Sequence, residues 1–296
     1  PALLRLRARA QLAAGDWAAA ASTLEAAARH AGDEPDPWTE ATRPAVRAAA
    51  AGEPYATRGD ASAELPLEAL PLPVVRVRVD ALETLAVVGS GAHFAVLDPS
   101  VRATAGAIDE LTLGALRVRD VPHTVRSLEA VREALGADVG MVIGADLLLR
   151  LHATLDGPGG RLVLHAERPA RPDTTTAPLL RPTGAFLAVP ARVGAHEGWL
   201  TLDTAGLFPV ALGPGGDEAL GLADAAWQAT AQGPSMTVAD VRLGALHAEG
   251  LPLVRGLLDE SHARAVGAPV AGSLGWTVLS QLAITFDAPA GVLRFE

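Results

Sequence analysis

The feature that most constrains this 296-residue chain is that most of it is written twice. The stretch from Val87 to Val96 aligns with that from Thr201 to Val210 at an offset of 114 residues. Ser90 then meets Thr204, Phe94 meets Phe208, Val96 meets Val210, and Gly89 falls on Asp203. Leu113-Gly114-Ala115-Leu116 meets Leu243-Gly244-Ala245-Leu246, and Val121-Pro122 meets Leu251-Pro252, at an offset of 130. From Ile143-Gly144 over Leu274-Gly275 the copies run without a gap to Leu164 and Phe295, at an offset of 131. Three blocks in one order predict two structural units related by a pseudo-twofold axis.

The jump in offset locates an insertion. Between the first two blocks the second copy gains 16 residues, the difference between offsets of 114 and 130, around residues 228–237. Polar residues flanking Gly233-Pro234 between two strand-like runs predict a hairpin with a mobile tip. The first copy passes almost directly from Gly106 to Leu111 and is expected to lack it.

In the second copy the apolar run from Trp199 to Leu202 ends in Asp203-Thr204-Ala205-Gly206. An acid followed by small residues lets a strand turn sharply and leaves a carboxylate at a cleft. The bland alternative is an ordinary turn or capping acid. Asp156 and Asp287 stand in matched Asp-Gly-Pro-Gly-Gly and Asp-Ala-Pro-Ala-Gly runs and read as hairpin-turn residues. Asp259-Glu260-Ser261-His262 reads as a solvated segment rather than a metal site. His93 follows the first-copy turn and lines either the cleft or the surface. Gly213-Pro214-Gly215-Gly216 lacks the Lys-Ser/Thr ending of a phosphate loop. No metal and no cofactor is expected.

Composition narrows the partners. The net charge of −10, with only 20% charged residues and no basic patch, argues against nucleic acid or an anionic membrane. Cysteine is absent, which removes disulfides and thiolate chemistry without assigning a compartment. No apolar run approaches the roughly 18 residues of a membrane span. The chain opens on Pro1, so a trimmed or processed form is expected, with any export signal upstream. A periplasmic or extracellular location stays open.

Residues 1–52 are Ala-rich with leucines at helical spacing, and Gly15-Asp16 breaks the pattern with an acid placed to cap the next helix. This segment resembles a single tetratricopeptide helical hairpin, which cannot bury its own apolar face. It reads as a helical prefix packed on its neighbour, or else as a partner-binding arm. Residues 53–64 read as a polar linker, 65–167 as lobe one, 168–183 as a Pro- and Thr-rich linker, and 184–296 as lobe two. In lobe one, the alternation from Val74 to Val79, the turn at Asp80-Ala81 and the return from Leu85 to Val88 predict a β-hairpin.

These residues carry a likeness. A strand leading into an Asp-Thr-Ala-Gly turn, the Leu-Gly-Ala-Leu and Val-Pro or Leu-Pro elements, Ile143-Gly144 and Leu274-Gly275, and the closing Asp, Gly and apolar strand together resemble the retropepsin-like aspartic peptidases. The form resembled is the bacterial single-chain one with two lobes, over residues 65–296. The resemblance implies a mostly β fold: two acid-protease β-barrel lobes facing each other across a cleft, after an α-helical N-terminal segment. It also implies one aspartate from each lobe, a shared water, and hairpin flaps over an extended peptide. Two carboxylates about 3 Å apart cannot both ionise. One takes the proton of water while the other, protonated, polarises the scissile carbonyl.

The chain departs from that pattern at its centre. Asp203 and Thr204 are the expected catalytic pair of lobe two, but Ala205 stands where the motif has glycine. Lobe one offers Gly89 and Ser90 and lacks the acid. Asp80 and Glu83 precede the strand, and Asp98 follows by nine residues, about 30 Å if extended. A degenerate, non-catalytic or severely impaired peptidase that keeps a peptide-binding cleft is therefore the leading reading. Gly233, Gln232 and Pro234 of the hairpin, with Ala92 and Gly206 of the turns, are its expected substrate contacts. The alternatives are an active endopeptidase built on Asp203, or an adaptor holding a partner through the N-terminal helices. Two readings escape the non-catalytic conclusion: a Gly89 engineered to trap an inactive form, or two Asp203 residues paired across a dimer, which the fused first lobe should obstruct. The substrate and the oligomeric state are not legible.

Overall fold

A computed structural model of the protein describes residues 2–31, 36–170, 174–181, 186–231, 233–260, 262, 266 and 268–296. Three helices come first: α1 (Ala2–Ala13), α2 (Trp17–Ala31) and α3 (Pro37–Ala50). Asp16 caps α2 through the Ala19 N–H at 3.1 Å. Asp36 caps α3 through the Thr39 N–H at 2.9 Å, with Pro37 preset for the first turn, and also pairs with Arg5 of α1.

Lobe one contains β1 (Ala56–Gly59), β2 (Ser62–Pro66), β3 (Val74–Val79), β4 (Leu82–Val88), β5 (Ala95–Leu97), β6 (Gly106–Leu113), β7 (Leu116–Val125), α4 (Glu129–Leu135), β8 (Val139–Ile143), α5 (Ala145–Arg150), β9 (Thr154–Asp156) and β10 (Arg161–His165). Lobe two follows with β11 (Thr175–Pro178), β12 (Ala188–Val193), β13 (His196–Asp203), β14 (Val210–Leu212), α6 (Gly216–Ala219), β15 (Gln228–Thr230), β16 (Gly233–Leu243), β17 (Leu246–Arg255), β18 (Gly272–Gly275), α7 (Trp276–Leu279), β19 (Ala283–Asp287) and β20 (Val292–Phe295).

Both copies close into six-stranded barrels. In lobe one the order β7-β5-β8-β4-β3-β6 returns from β6 to β7, and β1 extends the edge of β7. In lobe two β12-β13-β18-β14-β17-β16 closes through β12 and β16, with β15 added to the edge of β16. Closure leaves each barrel no open seam. Inward aliphatic side chains and a methionine fill the interiors: Val77, Leu97, Leu111 and Met141 in one, Leu200, Leu212, Leu243 and Leu274 in the other, all buried. Matching turns join the long strands, with Gly114 and Gly244 in the left-handed region at φ 61° and 60°.

A third sheet, β11-β20-β19-β9-β10-β2, takes strands from both copies. At its middle Thr154 pairs with Thr285, its own mate at the 131-residue offset, and their hydroxyls lie 2.7 Å apart. The pseudo-twofold axis passes between them. The protein is thus mostly β, two barrels related by that axis, preceded by helices. Among the described residues no helix is long and apolar enough to cross a membrane.

Two stretches differ from the sequence reading. Residues 53–64, expected as linker, carry β1 on β7 and most of β2 on β10. Within 168–183, also expected as linker, β11 pairs with β20. In β2 only Ala63 and Leu65 point inward, and in β11 only Ala177 does, so alternation is too brief to register in the sequence.

The prefix is docked on lobe one. α3 packs against β6 and β7. The Trp17 ring lies 6.0 Å from the rings of Tyr55 and Phe94, and the Tyr55 hydroxyl donates to Asp146 of α5 at 2.5 Å. Leu3 and Leu6 of α1 remain exposed, at 82% and 56%.

Candidate functional site

Two strand ends meet on the axis. β4 runs parallel to β8 and β13 runs parallel to β18, and each central strand leads directly into a turn. Gly144 and Gly275 close the flanking strands because a β-carbon there would lie 2.3 Å from the Phe94 carbonyl oxygen or 2.1 Å from that of Phe208. The apolar-Gly elements of the repeat therefore let the chain after each turn press against the barrel wall.

The turns interlock through Ser90 and Thr204. Ser90 N–H donates to Thr204 Oγ1 at 2.9 Å and Thr204 N–H donates to Ser90 Oγ at 3.1 Å. The Ser90 hydroxyl donates to the Leu202 carbonyl at 3.0 Å, and the Thr204 hydroxyl to the Val88 carbonyl at 2.6 Å. Both residues are buried, so each proton and lone pair that would otherwise be stranded finds a partner across the axis.

Asp203 stands beside this lock, half-buried, its Oδ1 accepting the Ala205 N–H at 3.0 Å. Burial pushes its carboxyl above the ordinary range, against the Ala205 N–H and the neighbouring His262, which pull it down. Gly91 presses on it: a β-carbon there would lie 2.9 Å from Asp203 Oδ1. At Gly89, the mate of Asp203, a β-carbon would lie 2.6 Å from Val142 Cγ1 and 3.5 Å from the Ala205 β-carbon. Val142 pairs with Val87 as Ser273 pairs with Thr201. Lobe two thus puts a serine beside its acid where lobe one puts a valine beside its glycine.

A cavity of about 660 Å³ opens over these turns, lined by Gly89, Ala92, Asp203, Val142, Ser273 and neighbouring side chains of both lobes. Trp38, Ala41 and Thr42 of α3 also line it. Between β5 and β6 the chain makes only turns, so lobe one has no hairpin there. β15 and β16 form the lobe-two hairpin, but none of their described residues lines the cavity. Gly233 ends that hairpin, and Pro234 borders a separate groove with Pro214 and Arg255. Gln232 lies outside the described residues. Ala92 lines the cavity. Gly206 sits in the turn, donating to the Asp203 carbonyl at 3.1 Å and accepting the Trp276 N–H at 2.8 Å.

Glu83 lies exposed at the start of β4, and four of the other acids weighed from sequence are engaged elsewhere. Asp80, at φ 52°, accepts the Glu110 N–H at 3.0 Å and pairs with Arg102 at 3.1 Å. Asp98 binds Ser100, the Leu128 N–H and Arg132. Asp156 and Asp287 hold arginines beside their hairpins. His93 lines the cavity stacked on Phe94 at 4.2 Å, and burial pulls its imidazole down to about 4.

Sequence reasoning missed His262. It lines the cavity, its Nε2 lies 3.4 Å from Thr201 Oγ1, and its ring meets Phe186 edge-on at 6.1 Å. Burial pulls its imidazole down, against Asp203 and Asp259, which raise it. Its acidic neighbours in the chain hid it. The clue lay in the repeat, because the 131-residue offset sets it on Val131 of α4, another cavity residue.

No family model matches the chain, and no curated protein matches it by sequence. Solved structures do match in fold. A basic 7S globulin from soybean superposes with a TM-score of 0.54 at 12% identity, over 82% of this chain and 95% of that one. An aspartic proteinase from Irpex lacteus superposes with a TM-score of 0.50 at 13% identity, over 79% and 97%. A retropepsin-like aspartic protease from Rickettsia conorii, at 16% identity over 44% of this chain and 96% of that one, has a TM-score of 0.31, too low to add weight.

Proposed function

We propose that this two-barrel, aspartic-protease-like chain is a degenerate peptidase of the bacterial single-chain retropepsin-like kind, whose cleft holds a peptide without cutting it. One observation carries the reading. Opposite Asp203 stands Gly89, and the space a lobe-one carboxylate would need is held by Val142 Cγ1, 2.6 Å from the would-be β-carbon. Without a second acid there is no proton to polarise a carbonyl while Asp203 activates water. The apolar cavity walls and the strands at its rim suit an extended peptide.

The test is cleavage of a diverse peptide library from about pH 3 to pH 8, by the parent, Asp203→Ala and Gly89→Asp/Val142→Ser. Silence from the parent with turnover in the double variant is the expected result. Turnover by the parent that vanishes in Asp203→Ala makes the chain an active endopeptidase and overturns the proposal. The adaptor reading rests on Leu3 and Leu6 alone and stands behind the cleft.

A further inference from the structure

His93, Thr124, Arg126 and Ser127 give the lobe-one wall polar groups of its own, but around Asp203 the two walls differ at positions the repeat makes equivalent. On the lobe-two side stand Asp203, His262 and Ser273, and on the lobe-one side stand their mates Gly89, Val131 and Val142. Each pair sets a polar group against an aliphatic or bare one. Two alike walls would suit a water held symmetrically between acids. These walls suit a ligand that is charged at its tip and apolar along its length.

The charge is legible too. Asp203 Oδ1 is taken by the Ala205 N–H, and among the described residues Oδ2 has no hydrogen-bond partner and no cation pairs with the carboxylate. A half-buried carboxylate without a counter-ion is costly, and a ligand cation offsets that cost. One open oxygen suits a compact point charge better than a guanidinium, which asks for two parallel acceptors. An ammonium has three donors to place. Beside Asp203, the Ser273 hydroxyl and the His262 and Thr201 pair offer further lone pairs. Burial lowers the His262 imidazole's pKa, against Asp203 and Asp259, which disfavours its cationic form.

From this geometry we infer that the cleft selects a peptide by a lysine side chain, with the ammonium on Asp203 and the methylenes along Val131 and Val142. The inference rests on the peptide-binding reading above and names the residue that reading leaves open. Lysine is the side chain that carries a point charge on an unbranched aliphatic stem.

The experiment measures binding of fluorescein-labelled seven-residue peptide pools by anisotropy, with flanks randomised and the central residue set as lysine, norleucine, arginine or acetyl-lysine. The full chain and Asp203→Asn are compared, with a thermal melt to check that the variant is folded. Lysine pools should bind at least about tenfold tighter than norleucine pools, a loss of that preference in Asp203→Asn accounting for about 1.4 kcal/mol. Equal binding of lysine and norleucine, a preference that survives Asp203→Asn, or arginine ahead of lysine overturns the lysine assignment while the peptide cleft stands. No binding by any pool overturns the peptide cleft and the lysine assignment together.

Discussion

Ser90 and Thr204, 114 residues apart, each donate a backbone N–H to the other's hydroxyl across the pseudo-twofold axis. Each hydroxyl then passes its own proton to a carbonyl at the end of the opposite lobe's central strand, Leu202 or Val88. The lock is independent of the acids. It forms in a chain whose first lobe carries Gly89 opposite Asp203, so it joins the lobes without needing a second acid.

Removing one hydroxyl should therefore show in stability. Ser90→Ala strands the Thr204 N–H and the Leu202 carbonyl in a buried site, at about 1–3 kcal/mol for each group left unmet. Urea unfolding should show a loss of roughly 2–4 kcal/mol. Thr204→Ser keeps both bonds and should cost less than about 1 kcal/mol. Equal losses for the two variants would mean that the methyl packing, not the exchange, holds the lobes.

Gly89→Asp alone should not build a dyad. Its β-carbon would meet Val142 Cγ1 at 2.6 Å, and forcing atoms into a packed wall costs about 1–3 kcal/mol. Val142→Ser copies the Ser273 beside Asp203 and removes that branch. The single variant should melt lower than the parent and the double variant should recover much of the loss, read by calorimetry. A single variant as stable as the parent would show that Val142 yields without cost.

Much of this was legible in the sequence, and what was not has a physical reason. The offsets of 114, 130 and 131 carry the two barrels and the axis, because repeated blocks of apolar residues and glycines impose repeated structure. The acid at a strand end was legible at Asp203, and so was its absence at Gly89. β1, β2 and β11 were not, since each buries too few side chains to show alternation. Trp38 reaches the cavity only because α3 docks on β6 and β7, a tertiary event with no local signature. Val142 against Ser273 was present in the alignment, yet it acquires meaning only when the distance to Gly89 is known.

Asp203 should weaken the empty fold as pH rises. Burial raises its folded-state pKa above the unfolded value, so the native state holds its proton longer than the unfolded chain does. The stability this contributes is present below the unfolded pKa and is lost as pH rises through the folded one. Asp203→Asn is neutral throughout and should abolish that decline. Melting temperatures of the two proteins, without peptide, should converge at low pH and separate in favour of the variant toward neutral pH. The opposite order would mean that Asp203 has a cationic partner in the free protein.

Asp98 should act with the opposite sign. Only 2% exposed, it accepts the Leu128 N–H at 2.8 Å, the Ser100 N–H at 2.9 Å and hydroxyl at 2.6 Å, and pairs with Arg132 at 3.0 Å. Burial alone would raise its pKa, but these bonds outweigh it and hold the carboxyl well below the usual range. The unfolded chain therefore takes up a proton first, and the stability is present above the unfolded pKa and is lost as pH falls toward the folded one. Asp98→Ala leaves Arg132 and the Leu128 N–H without their acceptor, at about 2–4 kcal/mol near neutral pH, and should flatten the acid limb of the stability profile. The loss should reach the cleft as well. Leu128, Ala130 and Val131 line the cavity from the segment Asp98 holds, so peptide affinity should fall in this variant even where the protein remains folded. Unchanged affinity would detach α4 from the binding wall.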